Sequence, residues 1–263
     1  MQLPRDETLQ ALLHDLYLDD SSVDPEVLSS QLLQILRGSA NDGDCIAVDE
    51  RWSGADAVLI TYADTVTEQE KPGLQSLRLL VNRHLNPFAS VIHVLPFLQS
   101  TSDGGFAVAS HDQLESRHGD WGDLSALAGG RRLMADLVLN HISASHPWVQ
   151  QFLCDDEPGR SCVLEASPST CWDAVVRPRS SSLFTQLCGP AGVRQVWTTF
   201  GPDQVDVDWR SPEVLLGFTR LLARMVRHGV RWVRLDAVGF IWKTPGTGCI
   251  LSLIHISEPT RPI

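Results

Sequence analysis

Short apolar runs along the chain alternate with stretches in which apolar residues recur every three or four positions, which predicts strands separated by helices. Residues 57–62 (AVLITY) read as a buried strand running into Asp64, residues 91–95 (VIHVL) as a second ending at Pro96, and residues 133–139 (LMADLVL) as a third. A fourth occupies the start of the run 230–242 (VRWVRLDAVGFIW). Helical spacing fills the intervals at 72–84, around 124–128, and after Ser211-Pro212-Glu213, where Leu215, Leu216, Leu222 and Met225 line one face until Gly229 stops it. Near the amino terminus, Ser22 or Asp24 can cap a helix that has Pro25 in its first turn and Val27, Leu28, Leu32, Ile35 and Leu36 on one face before Gly38. Strands that alternate with helices imply β-α-β crossovers and a parallel sheet, hence an α/β fold. Residues 145 to about 208 break the rhythm: they are rich in Ser, Pro, Arg and Cys and read as an inserted subdomain.

Composition narrows the partners. The 263 residues are 43% hydrophobic and 20% charged, as in an ordinary globular protein able to bury a core. A net charge of -11 without a basic stripe argues against nucleic acid or an anionic membrane as partner, and leaves small, neutral substrates. The six cysteines (Cys45, Cys154, Cys162, Cys171, Cys188, Cys249) show no C-x-x-C spacing, and no histidine pair has ligand spacing, so neither a metal site nor a redox motif is expected and the thiols read as free. Arg5, Asp6 and Glu7 stand where a secretory signal needs an apolar core, and no stretch reaches membrane-spanning length, so the expected location is cytoplasmic. Residues 251–263 resemble the translation of a transposase sequencing adapter; natural sequence is expected to stop near Ile250 and the tail to be foreign.

Candidate chemistry gathers where the strands end. Arg234 and Asp236 are two apart in a strand and therefore project to the same side. An arginine beside an aspartate favours the ionised form that a carboxylate nucleophile needs, although a structural ion pair at a strand terminus is equally consistent with this segment alone. Ser102-Asp103-Gly104-Gly105-Phe106 follows the second strand and Asn140-His141 the third. Taken singly, Asp103 before two glycines is a turn and His141 a backbone partner. Taken together, three successive parallel strands with polar ends describe the mouth of a β/α barrel.

The motifs LITYAD (59–64), HVLPF (93–97), SDGGF (102–106), GDW (119–121), DLVLNHIS (136–143), RPR (177–179), VWTTF with DQVDVDW (196–209), and VRLDAVGF with WKTPGT (233–247) resemble, in this order, the α-amylase superfamily, most closely its branch of sucrose and glucosylglycerate phosphorylases. The resemblance runs from about Asp49 to Ile250. It implies strands one to four of a TIM-type (β/α)8 barrel with the insertion after strand three, divided as a helical segment (1–50), first barrel part (51–144), inserted subdomain (145–208), barrel helix and fourth strand (209–250), and tail. It implies Asp236 as the nucleophile forming a β-glucosyl ester, Arg234 as its ionising partner, and Asp103 and His141 as ligands of the glucosyl hydroxyls, with Asn140 supporting His141. Phe106 and Phe200 would be platforms around the ring, and Arg179 and Gln204 part of the acceptor and phosphate pocket. Read without the resemblance, Phe200 packs the insertion and Arg179 is surface charge.

The implied reaction is retaining transfer of glucose from sucrose or a glucosylated small acid to phosphate, without a cofactor. In this family the acid/base Glu follows strand five and a further Asp follows strand seven, both beyond Ile250, so the 263-residue chain alone is expected to be inactive. Gly104 departs from relatives that often carry a second acidic residue there. The alternatives are an α-glucosidase or transglucosidase of the same superfamily, and a non-catalytic carbohydrate-binding chain.

Overall fold

A computed structural model describes residues 6–18, 20–38, 56–86, 88–166 and 171–251. The expectations for Cys45, for the start of the resemblance at Asp49 and for the tail from 252 onward lie outside the described residues. The chain divides into two compact units, each assembled from three separated stretches of sequence.

The first unit takes residues 1–97, 112–135 and 214–233. Two helices open it, α1 (Asp6–Leu16) and α2 (Pro25–Arg37). Asp24 is the α2 cap and accepts from the Glu26 and Val27 N–H groups, while Pro25 occupies the first turn, where a missing donor does no harm. Leu28 and Leu32 are buried as the spacing requires, but Val27 is exposed and Leu33 is buried in its stead, because the buried stripe lies one residue further round the helix. Leu13, Tyr17, Leu28 and Leu32 cluster with Leu216 of α7 (Pro212–Arg227). Helix α7 buries Val214, Leu216, Phe218, Leu221, Ala223 and Met225, while Leu215 and Leu222, expected on the core face, are only half-buried.

Strands β1 (Val58–Thr61), β2 (Val91–Val94), β3 (Arg132–Val138) and β8 (Val230–Asp236) form one sheet in the order β1-β2-β3-β8. The β1–β2 and β2–β3 pairings are parallel, with Val58 opposite Val91 and Val91 opposite Arg132. All four β2 residues are buried, as expected of an inner parallel strand covered on both faces. Helix α3 (Gly73–Leu80) continues as one π turn over Val81–Leu85, and α4 (Trp121–Ala128) starts with a capping box between Asp120 and Asp123. Gly229, at φ +95°, turns the chain from α7 into β8. A side chain there would meet both an unfavourable backbone conformation and Ala128 Cβ at 3.1 Å.

The second unit comprises residues 98–111, 136–213 and those from 234 onward. It holds the strand ends and the segment that breaks the helix–strand rhythm. Strand β4 (His141–Ser143) pairs antiparallel with β7 (Gln204–Asp206), and β5 (Phe184–Gly189) makes a hairpin with β6 (Gly192–Trp197). Two short helices, α5 (Pro147–Leu153) and α6 (Gly159–Cys162), precede the hairpin. Trp197, Leu164, Ala166 and Cys249 form a small core flanked by Trp172 and Phe184. Cys154, Cys162, Cys171, Cys188 and Cys249 are free thiols. Among the described residues no helix is long and apolar enough to cross a membrane.

Candidate active site

Strand β8 ends with Arg234 and Asp236 on one side of the pleat, and Arg234 Nη2 stands 3.0 Å from Asp236 Oδ1. The same guanidinium donates through Nη1 to Asp136, near the end of β3, whose side chain is fully buried. Asp136 is also the larger of the two influences that hold Arg234 charged. Arg234 pulls the Asp236 carboxyl downward, as the sequence suggests. Burial outweighs it, and with the like charge of Asp136 leaves Asp236 above its ordinary value. Phe106 lies beneath the guanidinium, 6.0 Å from ring centroid to Arg234 Cζ.

The second group of side chains is assembled by β4 and β7, whose register sets His141 opposite Asp206. Gln204 links two of the expected sugar ligands: its Nε2 donates to Asp103 Oδ2 at 2.8 Å and lies 3.1 Å from His141 Nε2. His141 is almost fully buried, and desolvation depresses its pKa against the opposing pull of Asp206, Asp236 and Asp103. Phe200 packs against the His141 ring at 5.1 Å and against Phe240 at 5.3 Å. Asp103 is exposed and sits at φ 55°, in the left-handed region that Gly104 also occupies at φ 62°. That unfavourable backbone is tied down by Asp203, which accepts from the Thr101 and Ser102 hydroxyls.

Eight of the nine expected residues therefore fall into two small groups in the second unit: Arg234, Asp236 and Phe106 in one, and Asp103, Gln204, His141, Asn140 and Phe200 in the other. Arg179 is in neither. It lies on an exposed stretch, and Arg177, two residues earlier, is the one that turns inward, donating to the Thr199 carbonyl at 3.1 Å. Gln204 serves the Asp103–His141 side.

Sequence reasoning passed over Asp136, Asp206 and Lys243. The Lys243 side chain is buried, lies 2.8 Å from the fully buried Asp206, and donates to Asn140 Oδ1 at 2.6 Å. Asp206 also accepts from the backbone N–H and hydroxyl of Thr199. The available signal was a charged residue embedded in each of the apolar motifs DLVLNHIS, DQVDVDW and WKTPGT, since such charges are buried only when paired. Among the described residues no cluster of His, Cys, Asp and Glu has the arrangement to hold a metal ion.

The family described as "Alpha amylase, catalytic domain" matches residues 88–248. The chain is 45% identical over 199 residues to a glucosylglycerate phosphorylase of Allomeiothermus silvanus, covering 76% of this chain and 36% of that protein. It is 33% identical over 206 residues to a sucrose phosphorylase of Agrobacterium vitis, covering 73% and 41% respectively. The crystal structure of sucrose 6F-phosphate phosphorylase from Thermoanaerobacter thermosaccharolyticum superposes with a TM-score of 0.70 at 24% identity, over 81% of this chain and 46% of that one, a likeness of fold. The chain thus spans less than half the length of each of these relatives.

Proposed function

The chain belongs to the α-amylase family, and from that premise we propose that the full-length protein is an α-glucoside phosphorylase. It transfers glucose with retention from sucrose or a glucosylated small acid to phosphate, and the higher identity to a glucosylglycerate phosphorylase supports the acid. The observation that carries the reading is the Arg234–Asp236 pair at the end of β8, held in one compact unit with the Gln204-linked Asp103 and His141.

In the proposed reaction a carboxylate oxygen of Asp236 attacks the anomeric carbon of the bound α-glucoside. The bond to the departing oxygen breaks, that oxygen takes a proton from a general acid, and a β-glucosyl ester remains on Asp236. A phosphate oxygen then attacks the same carbon, releases the Asp236 carboxylate and yields α-glucose 1-phosphate. Asp103 and His141 hold ring hydroxyls, the His141 imidazole being kept neutral by burial and so free to accept as well as donate. Phe106 and Phe200 supply apolar surface, Asn140 supports His141, and Arg179 remains the proposed phosphate ligand on its exposed stretch. Retaining transfer needs a second carboxyl group about 5–5.5 Å from the nucleophile. The proposal assigns it to the part of the full-length protein outside this chain, so the 263 residues alone are inactive.

The test is covalent trapping. A 5-fluoroglucosyl donor should add its mass to the peptide carrying Asp236, and phosphate should release it as the 1-phosphate. Label on another carboxylate would remove Asp236 from its role. Release of free glucose in place of glucose 1-phosphate would make the protein a glucosidase.

A further inference from the structure

We propose that Lys243 is a positioning residue of this site: its ammonium joins Asp206 of β7, Asn140 and the turn after β8 into one fixed support for His141. The proposal rests on the reading of His141 as a sugar-binding residue. Lys243 is the more telling because a buried lysine is unfavourable unless every charge and hydrogen is met. Its side chain is 4% exposed. An ammonium has three hydrogens, and three oxygens surround it: Asp206 Oδ2 at 2.8 Å, Asn140 Oδ1 at 2.6 Å and the Phe240 carbonyl. The Trp197 ring lies 5.8 Å away and closes the site further.

Each of those acceptors leads to His141 by a different route. Asn140 precedes it, with the amide nitrogen 3.4 Å from Nδ1. Asp206 is its cross-strand partner. Phe240 packs on Phe200, which packs on the imidazole. Three carboxylates act on this histidine, Asp206, Asp236 and Asp103, and all three favour its protonation, while Lys243 opposes them together with burial; Gln204 is a neutral neighbour. Without the ammonium, Asp206 would keep its two donors from Thr199 and the charge of Arg177, but would lose its ion-pair partner and act more strongly on His141.

The experiment is an NMR titration of histidine ring carbons in the full-length protein, the His141 signal being identified by its loss in His141→Gln. The native protein should show His141 titrating below 6.5, its ordinary value. Lys243→Met should move the midpoint up by about one pH unit or more. Lys243→Met combined with Asp206→Asn removes cation and anion together and should bring it back down, while Lys243→Arg should leave it near the native position. A His141 midpoint unchanged in Lys243→Met overturns the proposal. If that variant does not fold, Asp206→Asn alone decides: it leaves Lys243 unopposed and should lower the midpoint, and an unchanged midpoint again overturns the proposal. No substrate enters the titration, so a protein that forms no glucose 1-phosphate refutes the phosphorylase reading without touching this result.

Discussion

Arg234 donates to Asp136, a carboxylate 98 residues earlier in the chain with a fully buried side chain, while its second nitrogen stands 3.0 Å from Asp236. One guanidinium thus joins the ends of β3 and β8 and opposes the effect of burial on the proposed nucleophile. The planar fork of arginine suits this double duty, and a lysine has only a point charge to offer.

Arg234→Lys in the full-length protein should therefore weaken both contacts. Loss of a charged hydrogen bond at Asp136 is expected to destabilise the protein by about 1–3 kcal/mol, read from denaturant unfolding. The acid limb of kcat/KM against pH should move to higher pH, because Asp236 loses part of the cation that counters its burial. An acid limb that stays in place would mean that Arg234 serves Asp136 alone.

Asp236→Asn should abolish glucosyl transfer, by at least about 10³-fold, and yet stabilise the fold at neutral pH. Burial raises the Asp236 pKa above its ordinary 3.8, so the folded protein favours the protonated group. Ionisation therefore erodes stability as pH rises from 3.8 through the raised value, and an amide cannot ionise. The gain in melting temperature should be present at pH 7 and disappear as pH approaches 3.8. Equal melting temperatures at every pH would contradict the assigned burial effect.

Gln204→Leu removes the amide that touches both Asp103 and His141. A hydrogen bond to a charged group is worth about 1.5–3 kcal/mol, which corresponds to a fall in kcat/KM of about 10- to 10²-fold. Steady-state assays of glucose 1-phosphate formation would show it. An effect below twofold would separate Gln204 from the sugar site.

Leu216→Ala tests how the first unit is held together, since Leu216 of α7 packs against Leu13, Leu28 and Leu32 of the two leading helices and Tyr17 of the turn after α1. The cavity should lower stability by about 2–5 kcal/mol in urea unfolding. Proteolysis should then begin around α1 and α2. A variant as stable as the native protein would show that these helices are loosely attached.

Much of this architecture was legible from the chain. Asp24 and Pro25 start α2, and the runs 57–62, 91–95 and 133–139 become β1, β2 and β3, because capping, proline geometry and strand-forming side chains act within a few residues. Arg234 and Asp236 could be placed on one side of a strand for the same reason, since side-chain alternation is a local property. Asp103, Asn140 and His141 could be assigned to strand ends by counting elements.

Tertiary structure decided what those groups meet. The bond from Arg234 to Asp136 spans 98 residues and that from Lys243 to Asn140 spans 103, distances over which sequence carries no register. The direction of the Asp236 shift depended on burial outweighing a neighbouring arginine, and burial belongs to the packed unit rather than to the dipeptide spacing. Arg177 and Arg179 look alike in the motif RPR, yet only Arg177 turns toward the Thr199 carbonyl. Periodicity names the strand and the face; which charges are neutralised, by whom and at what depth follows from the close packing of segments that lie far apart along the chain.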